Sequence, residues 1–284
     1  MRVRMFFLAF TASFLLLFCG AAYAVFSFSQ AGAGMPAPQE SSFGGGYIPR
    51  EEDNFSVLLI GTGYGGKSAE YFTLVRFDMP AGRIPVFTFP ASCTISYENE
   101  ETDLRTLCNS SGTEALIAAL EAEYGIPIDG WLRYGRAGCE TIVDTLGSYD
   151  LSFPRALIYS GGGRSIHLLA GMQRMNGKKT FDVISFPDFT ETERCDRISK
   201  LVAAFLSRRL IRLTKEGGNN FDVVADNTEA SFGAKEHALR EPGLAFLASL
   251  DVTVSSHITM EAELRDGKLY LTDTSRERLL KYFT

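Results

Sequence analysis

The residues with the clearest chemical pattern run from Gly61 to Ser68, where the chain reads G-T-G-Y-G-G-K-S. These letters match the phosphate-loop pattern G-x-x-x-x-G-K-S/T. In such a loop, glycine N–H groups surround the phosphates, the lysine adds a positive charge and the hydroxyl binds Mg²⁺. The pattern predicts nucleotide binding, with Lys67 as the phosphate-binding cation, provided that a helix begins directly after the loop.

The residues that follow the loop predict strands instead of that helix. Segment 71–77 is rich in Tyr, Phe, Thr and Val, which favour strands, and the Met-Pro-Ala-Gly at 79–82 is typical of a turn. Segments 55–60 and 83–89 predict the neighbouring strands. We therefore expect a flexible connection between two strands, in which Lys67 is a solvated loop residue. Nucleotide binding remains a remote alternative.

The N-terminal residues predict a membrane anchor. Residues 5–28 form an almost uninterrupted apolar run behind Arg2 and Arg4. At about 1.5 Å per residue, such a run crosses a hydrocarbon core of about 30 Å as one helix. Its basic flank predicts a short tail, 1–4, inside the cell and the rest of the chain outside. The Ala-Tyr-Ala at 22–24 also fits a signal-peptidase site, so a cleaved signal peptide is the alternative.

The domain organisation follows from this anchor. Segment 29–52 is rich in Gly, Ser, Pro and Ala, which predicts a flexible linker. Segment 53–284 is then one extracytoplasmic domain, of a size that a single core supports. The expected location is the cell membrane, with a single span. The formal net charge of −6 and the lack of a basic stripe argue against nucleic acid as a partner.

Four cysteines lie outside the predicted anchor: Cys93, Cys108, Cys139 and Cys195. An extracytoplasmic location permits disulfides, and four cysteines allow three pairings. Cys93 and Cys108 flank the polar stretch 98–103 and are candidates for a disulfide across it, with free thiols as the alternative. Because no C-x-x-C spacing occurs, a zinc site is not expected.

Helices and strands alternate along the domain, which predicts an α/β fold. Helices are expected at 113–124, 137–146 and 192–213, with shorter ones from Gly177 and from Ser275, and strands are expected at 131–134, 156–159, 165–169, 252–260 and 268–271. The helix at 192–213 has a core-facing stripe at the i, i+3, i+4, i+7 spacing. The members of this stripe are Ile198, Leu201, Val202 and Phe205.

Four blocks of the domain, in order, are similar to one protein family. NFSVLLIGTG (54–63) resembles the family's first strand and turn, and FTLVRFDMPAGRIPVFTFPAS (72–92) resembles DTimvlsidpktkkvsllSIPRD. EYGIPIDGWLRYGRAGCETIVDTLGSYDLSFP (123–154) is similar to llGipIdyyvvvdfdgfkklvdalGGvdvdvp. LAGMQRMNGKKTFDVISFPDFTETERCDRISK (169–200) is similar to kaGkqhLnGkqALayvRfRd...gDfgRqqRQ. On these blocks the domain is identified as a member of the LytR-CpsA-Psr family of bacterial cell-envelope proteins.

This resemblance implies an α/β/α sandwich with a central mixed sheet, together with an activity. Family members transfer anionic glycopolymers from a polyprenyl-pyrophosphate carrier to peptidoglycan. Arginines neutralise the pyrophosphate, aspartates hold Mg²⁺, and an apolar pocket takes the lipid tail. The implied partners are therefore the membrane, a polyprenyl-phosphate lipid and a cell-wall glycopolymer.

Several acidic and basic residues of the family are replaced in this chain. The family's Asp-Thr is Phe-Thr here, at Phe72, and the nearest acid is Glu70. With regular strand alternation Glu70 shares a face with Phe72, which makes it the candidate metal ligand. The family's Pro-Arg-Asp is Pro-Ala-Ser here, at Ala91 and Ser92, and Ser185 replaces a further arginine.

Four basic residues remain as candidates for binding phosphate. In the last block, the family's two arginines correspond to Arg197 and Lys200. Arg76 joins these two as a candidate catalytic residue, and Lys67 is the fourth phosphate-binding candidate. Each of the four also fits a solvated surface position. Lysine keeps the charge of arginine but lacks the planar fork that clasps a phosphate.

These replacements predict a protein that binds without transferring. One comparable donor contributes about 2.7–4 kcal/mol of transition-state stabilisation, and this chain lacks several. We expect non-catalytic binding of a polyprenyl-(pyro)phosphate-linked glycopolymer or of a partner, with Mg²⁺ binding in doubt. The alternative is an active glycopolymer–peptidoglycan phosphotransferase with a rearranged site.

Overall fold

The computed structural model describes residues 47–283 of the 284-residue chain, and a compact unit begins at Pro49. The predicted tail and anchor at 1–28, and the linker up to residue 46, lie outside the described residues. Within 47–283, none of the helices is long and apolar enough to cross a membrane.

The described residues form short strands and helices throughout. The strands are β1 Phe55–Thr62, β2 Ala69–Phe77, β3 Ile84–Phe89, β4 Thr94–Tyr97, β5 Glu100–Asp103, β6 Gly130–Tyr134, β7 Tyr149–Phe153, β8 Leu157–Gly161, β9 Arg164–Leu168, β10 Gly171–Met175, β11 Glu229–Ala230, β12 Ser255–Ile258, β13 Ala262–Arg265 and β14 Lys268–Leu271. The α-helices are α1 Leu104–Ser111, α2 Thr113–Tyr124, α3 Arg136–Leu146, α4 Gly177–Ile184, α5 Glu191–Arg209, α6 Phe221–Asp226, α7 Ala234–Ser249 and α8 Asp273–Leu280.

A six-stranded mixed sheet with the order β11-β6-β1-β2-β3-β12 forms the centre of the fold. The β1–β2 and β2–β3 pairs are antiparallel, whereas β1–β6 and β3–β12 are parallel. The remaining strands pair as two-stranded ribbons at the periphery. This confirms the predicted α/β class and its mixed sheet.

Helices cover both faces of the sheet, because alternate residues of the central strands are apolar on each side. One face buries Leu58, Phe72 and Phe87 against α1, α2 and α8. The other face buries Val57 and Val75 against α5 and α7. The result is the predicted three-layer arrangement of helices, sheet and helices.

The 61–68 segment joins two antiparallel strands. β1 ends at Thr62 and β2 begins at Ala69, so no helix follows Lys67. Lys67 itself is exposed. The sequence-based prediction of a strand-to-strand connection is thus confirmed, and the helix N-terminus that a phosphate loop requires does not follow this loop.

The predicted helices agree well with the structure. α2 occupies the expected span and ends at Gly125, whose φ of 65° is the left-handed conformation that favours glycine. α5 ends at Arg209 instead of residue 213, because its last four predicted residues, Leu210–Leu213, form a 3₁₀ turn. The strand predicted at 252–260 is limited to β12, where it pairs with β3.

The four cysteines predicted to form either disulfides or free thiols are free and buried. Cys93 packs in the core beside Tyr124, and its Sγ lies 3.8 Å from the tyrosine hydroxyl. Burial raises the pKa of the Cys93 thiol to about 11 and that of Cys139 to about 12. Because the thiolate is the reactive form, these cysteines act as packing residues.

Candidate functional site

A narrow cleft lies where β1 ends and β2 begins, between the sheet and the N-terminal half of α5. Its lining includes Glu70, Tyr71, Thr88, Glu191, Arg194 and Ile198. We refer to it as the Glu70–Arg194 cleft. Two carboxylates and one guanidinium share this small space, which is the arrangement expected at a polar binding site and not in a packed core.

A β-bulge delivers Glu70 to the cleft. Gly61 pairs with Tyr71 while Thr62 pairs with Ala69, so Glu70 has no opposing residue on β1. A bulge interrupts side-chain alternation, and Glu70 lies beside Tyr71 in the cleft instead of facing the Phe72 core. The expectation that Glu70 shares a face with Phe72 is therefore wrong, because strand alternation is broken between them.

The glycines before the bulge have packing roles. A Cβ on Gly61 would lie 2.8 Å from the Tyr134 hydroxyl and 2.9 Å from the Tyr71 ring. A Cβ on Gly63 would collide with the Glu70 carboxylate. Both glycines therefore permit close approach of side chains to the backbone, a use of glycine unrelated to phosphate binding.

Tyr71 forms the buried wall of the cleft. Burial raises its pKa to about 12, and the negative charge of Glu70 adds to this shift, while Arg194 and Arg164 oppose it. A carboxylate and two guanidinium groups are thus close enough to Tyr71 to influence its ionisation. Glu70, Arg164 and Arg194 therefore all lie near the Tyr71 side chain.

Arg194 is the basic residue that α5 contributes to the cleft. Glu191, Arg194, Cys195 and Ile198 line it together, at the i, i+3, i+4, i+7 positions of one helix face. The Nη2 of Arg194 donates to the carbonyl oxygens of Phe186 at 3.3 Å and Phe189 at 3.4 Å. Its Nε is buried and has no hydrogen-bond partner among the residues that the structure describes.

Glu191 holds the segment where the family has Pro-Arg-Asp. Its Oε1 accepts a 2.8 Å hydrogen bond from the Ser92 backbone N–H, and its Oε2 accepts one from the Ser92 hydroxyl. Both oxygens are therefore occupied. Within 47–283, no three His, Cys, Asp or Glu side chains cluster in a way that could ligate a metal. Among the described residues, Glu70 is thus the one carboxylate of the cleft left for Mg²⁺, which proteins usually hold with one or two carboxylates, and Mg²⁺ binding stays a prediction.

A second arginine approaches from the β8–β9 hairpin. The Nη2 of Arg164 donates to the Ser185 carbonyl oxygen at 3.0 Å and to the Ser185 hydroxyl at 2.7 Å. Its guanidinium lies 4.1 Å from the ring centroid of Tyr64, on the loop of residues 63–68. The Nη1 of Arg136 donates a 3.0 Å hydrogen bond to the Tyr64 hydroxyl.

The structure distributes the sequence-predicted cations over the domain. Arg197 and Lys200 do not line the Glu70–Arg194 cleft, and Lys200 Nζ pairs with Asp196 at 2.7 Å. Arg76 is buried near the other end of β2, where its Nη1 donates to Ser56 Oγ at 3.3 Å. Of the predicted site residues, only Glu70 lies in the cleft. Phosphate binding by the others stays a prediction.

Arg194 is the site residue that the sequence reasoning missed, although two signals were available. The core-facing stripe that starts at Ile198 extends backward by three, four and seven residues to Cys195, Arg194 and Glu191. If the last family block is aligned three residues earlier, its two arginines correspond to Arg194 and Arg197. That register keeps both arginines, whereas the predicted register keeps one.

An apolar cavity of about 140 Å³ lies on the same face of the sheet. Its walls include Phe55, Val75, Leu206, Phe221, His237 and Arg240. Leu206 follows Arg194 by 12 residues on α5, a distance of about 18 Å along the axis. His237 stacks on Phe221, and burial lowers its pKa.

A wider polar groove of about 580 Å³ adjoins the cleft at Glu191. Glu191 lines both the groove and the cleft. Glu101, Asp103 and Lys268 of the β4–β5 and β13–β14 ribbons form its walls. The cleft therefore adjoins a polar groove, and the apolar cavity lies about 18 Å further along α5.

Known structures share this architecture. A crystal structure from Eubacterium siraeum superposes with a TM-score of 0.75 at 13% identity, covering 83% of this chain and 94% of the other. A LytR-Csp2A-Psr enzyme from Actinomyces oris gives a TM-score of 0.62 at 20% identity, covering 81% of this chain and 89% of the other. The described part of the chain has the LytR-CpsA-Psr fold.

A third structure with this fold was solved with a ligand. TagT bound to LI-WTA gives a TM-score of 0.63 at 15% identity, covering 84% of this chain and 92% of TagT. At sequence level, no family model and none of the curated proteins matches this chain. With identities this low, the comparisons establish the LytR-CpsA-Psr fold, and activity has to be argued from the site.

Proposed function

We propose that this chain is a membrane-anchored, extracytoplasmic protein of bacterial cell-envelope assembly. It binds a polyprenyl-(pyro)phosphate-linked glycopolymer in the Glu70–Arg194 cleft without transferring it. The observation that carries this proposal is Arg194, a guanidinium whose buried Nε has no hydrogen-bond partner within 47–283, in a cleft that adjoins a polar groove. Such a buried donor gains a favourable partner when an anion arrives.

Each part of the proposed ligand has a matching region. The apolar cavity suits an isoprenoid tail, since burial of apolar area contributes about 25 cal/mol per Å². Arg194 suits the phosphate. The polar groove, with Glu101, Asp103 and Lys268, suits sugar hydroxyls, which donate to carboxylates and accept from ammonium groups. TagT, which has the same fold, binds LI-WTA, a wall teichoic acid compound.

The proposal of binding without transfer rests on what stands around Arg194. Ala91 and Ser92 occupy the positions of a family arginine and aspartate, and Glu191 is bonded to Ser92. Within 47–283, Glu70 is the one carboxylate of the cleft that is left to bind Mg²⁺. The polyprenyl phosphate that leaves when the pyrophosphate bond is cleaved would therefore have little charge stabilisation beyond the arginines.

The test uses the full-length chain in lipid nanodiscs with a polyprenyl-pyrophosphate-linked glycan and peptidoglycan acceptor. We expect saturable binding of the lipid-linked glycan and no release of polyprenyl phosphate above the protein-free rate. Absence of binding would remove the proposed function. Release of polyprenyl phosphate with glycan on the acceptor would instead support the alternative, an active phosphotransferase with a rearranged site.

A further inference from the structure

Arg164 reaches the position where the family resemblance places an arginine. Ser185 stands at that position, and its hydroxyl and carbonyl oxygen both accept hydrogen bonds from Arg164 Nη2. The small Ser185 side chain leaves space that the long Arg164 side chain enters from β9. Arg164 of β9 thus supplies a positive charge where the family arginine is absent, at residue 185.

Arg164 and Arg194 are held side by side. Arg164 bonds the carbonyl of Ser185 and Arg194 bonds the carbonyl of Phe186, which is the next residue. Within 47–283, neither arginine forms an ion pair with a carboxylate, although many other arginines of this chain do. Glu70 and Glu191 lie in the same region but beyond ion-pair distance of both guanidinium groups, so an anion between the two arginines would be a direct charged partner for each.

Both guanidinium groups also retain an unused donor. The Nε of Arg164 and the Nε of Arg194 are buried and have no hydrogen-bond partner in the described part of the chain, 47–283. Buried donors are nearly always paired in folded proteins, so two neighbouring exceptions indicate a missing partner. A diphosphate carries enough acceptor oxygens to serve both groups.

Tyr64 covers this pair of arginines from the loop of residues 63–68. Its ring lies against Arg164 and is hydrogen-bonded to Arg136. Gly65 and Gly66, which follow it, have no heavy atoms within 4 Å of where a Cβ would stand. At these two positions the backbone is therefore not packed against other groups, and the contacts with Arg164 and Arg136 are what hold the ring over the site.

We infer that Arg164 and Arg194 together form the diphosphate-binding site of this chain, and that Tyr64 covers Arg164 until the diphosphate displaces its ring. This inference rests on the proposed function and specifies its site. In that arrangement Arg164 determines the affinity for the diphosphate group, and the glycine-rich loop is a cover over the site.

The two arginines have an alternative role as caps of α4, since basic side chains near a helix C-terminus bond the last carbonyls. A cap affects folding, whereas an anion site affects binding of a diphosphate. The two roles are therefore separated by measuring pyrophosphate affinity on variants that remain folded.

Calorimetric titration of the full-length chain with inorganic pyrophosphate tests this site. We expect Arg164→Ala to weaken pyrophosphate binding at least tenfold, and Arg194→Ala to do the same. Arg265→Ala is the matched control, because it removes one exposed arginine on the β13–β14 ribbon. This control should change the affinity less than twofold.

Two further variants make the result independent of folding. Tyr64→Ala should bind pyrophosphate at least threefold more tightly, because the competing ring is removed; a cap role for Arg164 predicts no such gain. If Arg164→Ala does not fold, the exchange Arg164→Ser with Ser185→Arg replaces it, and this variant should retain binding within threefold of the wild type.

The inference is overturned if wild-type protein shows no saturable pyrophosphate binding, or if Arg164→Ala keeps the wild-type affinity. Where the exchanged variant replaces Arg164→Ala, a loss of affinity greater than threefold overturns it. An unchanged affinity in Arg164→Ala would leave Arg194 alone as the anion site and would not touch the proposed function. Loss of binding to the lipid-linked glycan by wild-type protein would instead remove the proposed function itself.

Discussion

Two segments of this chain carry basic residues in motif-like order, and the fold uses them in opposite ways. Residues 61–68 match a phosphate loop in every letter, yet they join two antiparallel strands and leave Lys67 exposed. The first two turns of α5 match the family pattern only loosely, yet they place Arg194 in a polar cleft. The comparison teaches that the structural context of a basic residue decides whether it meets a ligand.

The two segments differ in the hydrogen bonds and side-chain packing that hold them in place. The loop has backbone hydrogen bonds between Gly63 and Ser68 but little side-chain packing. The α5 segment is fixed by the capping box of Thr190 with Glu193 and by the buried stripe that contains Ile198 and Leu201. A fixed guanidinium is already oriented for its ligand, whereas an exposed lysine side chain such as Lys67 loses conformational entropy on binding.

The largest expected effect is a loss in the free energy of unfolding when a core residue of α5 is truncated. Leu201 is 1% exposed and packs in the core below the cleft. Leu201→Ala should lower the free energy of unfolding by about 2–5 kcal/mol, because it leaves a cavity. Urea unfolding checks this value, with Arg197→Ala on the same helix as the control. A loss below about 1 kcal/mol would mean that α5 is not held by this stripe.

A smaller effect, on stability at alkaline pH, is expected from Tyr71 of the cleft and not from Tyr64 of the loop. The folded-state pKa of Tyr71 is raised to about 12, so the protein binds its proton more tightly than the unfolded chain does. This contribution to stability is present below pH 10 and is lost as pH rises from 10 towards 12. Tyr71→Phe should remove a decline of about 2 kcal/mol over this range.

Unfolding measured at several pH values between 9 and 12 tests the Tyr71 prediction. Tyr64→Phe is the control, because the Tyr64 ring is in the exposed loop, and this variant should keep the wild-type decline. Equal alkaline curves for Tyr71→Phe and wild type would show that Tyr71 is not buried against Glu70.

The smallest effect is expected at the residue with the strongest motif. Lys67→Ala should change the free energy of unfolding by no more than about 0.5 kcal/mol, as exposed substitutions usually do. Titration of the full-length chain with ATP and Mg²⁺ should show no saturable binding. Saturable ATP binding that disappears in Lys67→Ala would restore the phosphate-loop interpretation and reverse the comparison.

Local signals in the sequence predict most of the helices and central strands. The good helix formers of 113–124 followed by Gly125 fix α2, and the strand-forming residues after Ser68 fix β2. The apolar stripe of α5 is equally visible, and it extends to Arg194. These elements depend on residues close in sequence, which is why composition and periodicity are enough.

The cleft depends on pairings that periodicity does not encode. The face of Glu70 is set by a bulge, which appears only when β1 and β2 are paired in register. The contact of Arg164 with Ser185 joins residues 21 apart on different elements. Similarly, Glu191 meets Ser92 across 99 residues of sequence. Each of these contacts is a product of tertiary packing.

The central claim is that Arg194 holds the phosphate of the lipid-linked glycan. The most direct test compares three full-length proteins in binding to a polyprenyl-pyrophosphate-linked glycan: wild type, Arg194→Ala, and the double charge reversal Arg197→Glu with Lys200→Glu. We expect Arg194→Ala to weaken binding at least tenfold, about 1.4 kcal/mol, and to have the larger effect of the two. Unchanged affinity in Arg194→Ala, with a tenfold or greater loss in the double reversal, would contradict the account and would place the phosphate at Arg197 and Lys200.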